Sequence, residues 1–490
     1  MKSSFTSCIL LLALVLSLNS GCAQKSSGKE PETTTNASSE TTDAGESDRE
    51  PYNIPELDFG SETFTILNPE KNYWDCYTTL DVEEETGEIL DDAVFRRNVA
   101  LEELFNFEFE IVEMEFGTDL PAELSNAIMA GDDVYDVAFT KPDQSFSVFT
   151  SGRLYNLYDL DALQLDKPWW DQYIVENLTV GDHLMLVSGP IQLMASELAT
   201  TVYINKDMLI DAGMELPYDM VYNGTWTFDE MYKYATELST IGTQSDWTYD
   251  PSGDAIYPIA SHMGLCRNMF DGAGEMLISF DSGHMPVFDD PPQSFYDVAE
   301  IVAKCFDRTN NFMLDINMLN DSGYNKHSAF MNDRAVIYFL ELQMTRYLRT
   351  MESDYCVVPC PKYSVEQEHY YSMTSWQSAM MCIPKTNVDA ESAAAVLDYM
   401  AYLSLYDVWS NYLKKTIESK GTRDEESIDM INIIRDTITI DAGFVYSWTQ
   451  DLFNQISDKM SAGDANIASV VASQKAAVEA KIDQFLEAIE

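Results

Sequence analysis

Basic charge is scarce in this 490-residue chain, where 29 Lys and Arg face 82 Asp and Glu and leave a formal charge of −53. Nucleic-acid binding needs clustered Lys and Arg to displace counterions from phosphate, so that class of partner is excluded. The same field repels anionic membrane surfaces and polyanions, whereas neutral or cationic solutes meet no such opposition. Catalytic signatures are also missing: there is no G-x-S-x-G elbow, no G-x-G-x-x-G, no G-x-x-x-x-G-K-[ST] and no H-E-x-x-H. The five histidines, at 183, 262, 284, 327 and 369, stand too far apart to form a local zinc pair. No repeat of 20 to 50 residues is visible, which argues against solenoids and propellers. Neither a cofactor nor a metal is expected.

The N-terminal segment reads as a processing signal. Lys2 is followed by the apolar run Cys8–Leu18 (CILLLALVLSL), eleven residues long, where a membrane-spanning helix needs about 20. Ser20, Gly21 and Cys22 resemble the lipobox of bacterial lipoproteins, with Asn19 at the place where Leu is usual. The expected order is a signal peptide over 1–21, then a lipidated Cys22 and a tether over 22–58. An ordinary secretory signal with a chance Cys is the alternative. Residues 23–50 contain no aromatic residue and no Leu, Ile, Val or Met, so they have nothing to bury and are expected to stay disordered. A coil of 28 residues reaches roughly 30 Å.

Six cysteines remain in the body, at 76, 266, 305, 356, 360 and 382. An even number in an exported chain permits up to three disulfides without fixing their connectivity, and buried free thiols are the expected state. The acidic clusters at 81–85 and 246–254 lack EF-hand spacing and read as solvated loops.

Hydrophobic patterning in the body alternates between strand and helix. Strands are expected at Thr63–Leu67, Phe107–Val112, Val134–Phe139, Ala335–Leu340 and Tyr355–Val358. Helices are expected at Leu120–Ala130 and Ala390–Leu403, on a face made by Val94, Leu101, Leu104 and Phe105, and along an amphipathic C-terminal segment. Strand and helix taking turns implies an α/β fold with a mainly parallel sheet. The aromatic content, 8 Trp, 27 Tyr and 23 Phe, suits a sugar site, which needs flat platforms for C–H faces and polar groups for hydroxyls.

Several stretches in order resemble the extracellular solute-binding proteins of carbohydrate ABC transporters, the maltose-binding-protein-like group. They are Met129–Phe139 (MAGDDVYDVAF), Val202–Gly213 (VYINKDMLIDAG), Thr225–Met231 (TWTFDEM), Phe330–Tyr338 (FMNDRAVIY), Tyr355–Lys362 (YCVVPCPK) and Met381–Thr386 (MCIPKT). Tyr135 replaces the usual Pro and Asp333 the usual Gly. The resemblance implies a two-lobed type II periplasmic binding fold with hinge crossings near Leu198–Tyr203, near Tyr370–Met380 and after Leu405. Lobe one would hold 59–198 and 370–405, lobe two 199–369 and 406–490. It implies an extracytoplasmic, membrane-anchored monomer that binds a sugar and delivers it to ABC permease subunits without catalysis. By position against the family, the ligand-binding residues would be Asn68, Tyr73, Trp74, Lys141, Asp143, Ser196, Glu197, His262, Asn268, Glu341, Trp376, Tyr446 and Trp448. Of Trp169 and Trp170, one is expected to pack and the other is held in reserve. A cell-surface glycoside hydrolase and a lipoprotein binding peptides or metals are the alternative readings.

Overall fold

Strand β1 (Glu62–Pro69) shows how the chain builds its sheets: Phe64, Ile66 and Leu67 are fully buried, and the strand is covered on both faces. The computed structural model describes residues 49–142, 146–149, 152–243, 249–306, 312–321, 323, 325–417 and 425–489. The expected signal peptide, Cys22, the tether up to residue 48 and Asp143 lie outside the described residues.

After β1 come β2 (Phe107–Met114), β3 (Val137–Thr140), β4 (Thr200–Asn205), β5 (Tyr257–Ser261), β6 (Ser279–Phe280) and β7 (Pro286–Val287). The later strands are β8 (Met313–Asp315), β9 (Ala335–Glu341), β10 (Tyr355–Pro359), β11 (Ser372–Met373), β12 (Met380–Cys382) and β13 (Ile438–Thr439). A four-stranded sheet has the order β12-β3-β1-β2, and a five-stranded sheet the order β10-β4-β9-β5-β8. The chain therefore completes most of the first sheet, crosses to the second at β4, and returns to the first at β12. A separate two-stranded sheet pairs β11 in parallel with β13.

The expected mainly parallel sheet is corrected to two mixed ones. β1 runs parallel to β2 and β3, and β5 runs parallel to β8 and β9. β4 is antiparallel to both β9 and β10, and β12 is antiparallel to β3. The physical reason is connectivity: β4 and β12 each enter a sheet from the other half of the chain, so no βαβ crossover dictates their direction.

Helices cover the sheets with periodic apolar faces. The helix Ile89–Phe105 buries Leu90, Val94, Leu101 and Phe105, while Leu104, expected on that face, is 42% exposed. The terminal helix Ala468–Ile489 buries Val471, Val478, Ile482 and Phe485, one residue per one or two turns. All six body cysteines are buried free thiols. Tyr52, inside the stretch expected as tether, donates its hydroxyl to Asp398 at 2.9 Å and packs on Trp169. Among the described residues no helix is long and apolar enough to cross a membrane.

Candidate functional site

Parallel strands end on one edge, and the loops leaving that edge carry the polar and aromatic side chains. In the second sheet, β5 ends at Ser261 and hands on to His262, while its parallel neighbour β9 ends at Glu341. In the first sheet, β1 ends at Pro69 and leads into the loop that carries Trp74, and β3 ends at Thr140 beside the start of β12, which follows Trp376. The result is a cavity of roughly 450 Å³ lined by residues from both sheets, among them Trp74, His262, Asn268, Glu341 and Trp376.

Each of these side chains is held in a way the sequence explains. Asn72, Trp74 and Asp75 all adopt left-handed φ, near 59°, 51° and 61°, so the loop stores backbone strain at the cavity mouth. Internal hydrogen bonds sustain it: Asn68 Nδ2 donates to the Thr78 carbonyl at 2.8 Å, and the Thr78 hydroxyl donates to the Glu70 carbonyl at 2.8 Å. Trp74 consequently stands 50% exposed, stacked on Tyr73 at 5.8 Å with an interplanar angle of 5°. Tyr73 donates to Gln377 Oε1 at 3.1 Å, and Asp75 accepts from the Tyr347 hydroxyl, whose pKa burial and that carboxylate push up to about 12.

Opposite stands Trp376, half-buried, with Lys141 Nζ 4.6 Å from its ring centroid. This cation fixes one face of the indole and leaves Lys141 itself 4% exposed. His262 Nδ1 accepts from the Gly264 N–H at 3.0 Å, so its proton sits on Nε2, which points at Glu341 Oε1 3.5 Å away. Asn268 donates to the Thr200 hydroxyl at 2.5 Å. Two aromatic rings and a ring of donors and acceptors can grip a solute with apolar faces and polar edges; nothing in the arrangement requires a covalent step.

The structure places the other expected residues elsewhere. Asn68 is fully buried and braces the strained loop. Ser196 is buried in the short helix Met194–Glu197. Glu197 is fully buried and engaged by the Tyr77 N–H at 2.5 Å and by Arg346, with burial raising its pKa against the pull of that guanidinium. Tyr446 and Trp448 are corrected to core residues: both are at most 1% exposed and pack on Phe485, and the Tyr446 hydroxyl donates to the Leu178 carbonyl at 2.6 Å. Both Trp169 and Trp170 are buried, and their indole N–H groups donate to the same Asp398 Oδ1 at 3.0 and 2.9 Å.

Sequence reading missed Asp75, Asn317, Lys326, Gln343, Tyr347 and Ser375, which also line the cavity. Asn317 had a usable signal, since it follows the carboxyl end of β8 next to β5. Tyr347 had none, because it reaches the site through an irregular stretch, at the junction of two short 3₁₀ turns after β9.

No protein-family model matches the sequence. No curated protein matches it either. Solved structures do match, in fold. A sugar transporter from Rhizobium etli in an open conformation superposes with a TM-score of 0.56 at 12% identity, covering 85% of this chain and 99% of the other. UspC of M. tuberculosis gives 0.55 at 13% identity, covering 86% of this chain and 100% of the other. The maltose-binding periplasmic protein MalE of Listeria monocytogenes, solved in complex with maltose, gives 0.51 at 14% identity, covering 87% of this chain and 97% of the other. The chain thus has the α/β, two-lobed fold of periplasmic binding proteins.

Proposed function

We propose that this protein is the extracytoplasmic substrate-binding lipoprotein of an ABC importer, which closes on a neutral sugar or oligosaccharide and passes it unaltered to a membrane permease. The observation that carries this reading is the pair Trp74 and Trp376, contributed by two different loops to one cavity with His262, Glu341, Asn268 and Asp75 around them. Aromatic faces match the C–H faces of pyranose rings, and the flanking polar groups match the hydroxyls. Hinge crossings near Leu198–Tyr203, near Tyr370–Met380 and after Leu405 would let the halves close, and a solute drives closure only by binding the closed form more tightly. Lipidation of Cys22 would hold the body at the membrane through the N-terminal tether.

Calorimetry with maltose, maltotetraose, raffinose and a wider panel of neutral glycans tests the reading, together with small-angle scattering. One glycan is expected to bind 1:1 and to reduce the radius of gyration. Absence of binding across the panel with unchanged scattering overturns the proposal. A hydrolase would instead need two carboxylates free to act; here Asp75 is engaged by Tyr347 and Glu341 faces His262. Release of reducing ends from the bound glycan would replace the binding reading with that one.

A further inference from the structure

A second cavity, roughly 220 Å³, lies behind the loop that carries Trp74. It is lined by Asn72 and Tyr77 of that loop, by Thr345, Arg346 and Arg349 after β9, and by Tyr412, Lys415 and Thr416 of the helix Ser410–Ile417. Three cations around one small space are conspicuous in a chain where acids outnumber bases by 82 to 29. Among the described residues the only carboxylate in the lining is Glu197, and it is consumed: it is fully buried, accepts from the Tyr77 N–H, and pairs with Arg346. That pair holds the Arg346 guanidinium in place, while Lys415 pairs, among the described residues, with the exposed Glu88 at 3.6 Å. Arg349 is exposed, and no carboxylate lies within ion-pair distance of it among the described residues.

We propose that this cavity is a binding site for a small oxyanion, held by Arg349 and Lys415 with Arg346 behind them. Guanidinium and ammonium donors around a partly enclosed space form charge-assisted hydrogen bonds to tetrahedral or planar oxyanions, and a bidentate Arg supplies direction as well as charge. The overall negative charge of the protein does not oppose a single small anion at this point, because screening confines the surface field to about 8–10 Å and the local cations dominate within it. The lining joins segments that follow β1 and β9, so a bound anion would brace the base of the Trp74 loop without entering the larger cavity. This inference is independent of what the larger cavity binds.

The test is titration calorimetry of the purified protein with potassium phosphate, potassium sulfate and potassium acetate at constant ionic strength, with chloride as reference. Saturable 1:1 binding of at least one oxyanion is expected. The double variant Arg349→Gln, Lys415→Gln should weaken it by about tenfold or more, since each lost charge-assisted bond is strong. Sulfate and phosphate also stabilise proteins by exclusion from the surface, so the decisive thermal readout is a difference between proteins. At tenfold excess over the dissociation constant the wild-type Tm should rise by roughly 1–2 °C more than that of the variant. The two proteins should melt together in chloride, because both substituted side chains lie at the cavity rim. Heats equal to chloride for all three salts, or equal affinity in the double variant, would overturn the proposal.

Discussion

The aromatic walls of the cavity and the aromatic cluster around Tyr446 are built from the same residue types and solvated in opposite ways. Tyr446, Trp448 and Phe485 pack ring on ring at 4.6–5.2 Å and exclude water entirely. Trp74 is stacked on Tyr73, and Trp376 is contacted by Lys141 and, at 6.0 Å, by Phe444, yet both also line the cavity. Trp169 and Trp170 belong with the first group, because Asp398 consumes both indole donors together with those of Tyr52 and Gln164. An aromatic residue is structural when the fold covers both its faces, as with Trp448, which is buried although its indole N–H has no partner among the described residues. It is available to a ligand when part of its ring is left open.

The largest effect should come from breaking the packed side at its polar centre. Asp398→Ala strands two indole N–H groups, the Tyr52 hydroxyl and the Gln164 donors in the interior. A stability loss of about 4 kcal/mol or more is expected from urea unfolding. A loss below about 1 kcal/mol would show that the two Trp residues are not held by this carboxylate.

How much of this contrast was legible in the sequence depends on the range of the information. The strand at 63–67 and the helix at 390–403 are local patterns, and the structure has them as Glu62–Pro69 and Ala390–Leu403. Trp74, His262, Glu341 and Trp376 were reachable because each sits just beyond or before a strand end. Tyr446 and Trp448 carried the same aromatic signal, yet their fate is decided by Phe149 and Phe485, far away in the chain. Glu197 illustrates the same limit, since only the folded chain brings Arg346 to it across 149 positions. β4 and β12 were not read as strands, since they overlap stretches that entered only through the family resemblance and the expected crossings, and their direction is a property of the connections rather than of the residues.

A smaller and more diagnostic pair of effects sets the two regions directly against each other. Trp448→Ala should cost about 3–5 kcal/mol of stability through the cavity it leaves, with the proposed glycan binding of the folded protein unchanged. Trp376→Ala should do the reverse, with less than about 1 kcal/mol of stability lost and about 30-fold weaker binding, the equivalent of an anchor worth roughly 2 kcal/mol. Urea unfolding and calorimetry on both variants decide it. If Trp376→Ala unfolds the protein and leaves affinity intact, the distinction between the two regions fails.

The smallest expected effect sharpens the boundary between them, at His327. This side chain is 5% exposed, stacks on Tyr347 at 4.4 Å, and thereby supports the residue that holds Asp75 at the cavity wall. Burial, with help from Lys326, lowers its pKa to about 4 against the opposing pull of Glu341 and Asp75. The folded protein therefore keeps the imidazole neutral, while the unfolded chain takes up a proton below its ordinary value of about 6.5. Between these two values the unfolded state binds more protons, so this residue makes stability rise with pH and fall as the solution is acidified from about 6.5 towards 4. After allowance for solvent screening at a partly open site, the change amounts to about 1 kcal/mol. In His327→Gln that contribution is gone, so the stability of the variant relative to wild type should improve between pH 7.5 and pH 4.5, measured by urea unfolding at each pH. Asp171, whose burial raises its pKa to about 6, contributes with the opposite sign in both proteins and cancels in the comparison. A stability difference that stays constant across this range would mean that His327 is as well solvated as the open face of Trp74, and the wall of the cavity would then begin one layer deeper.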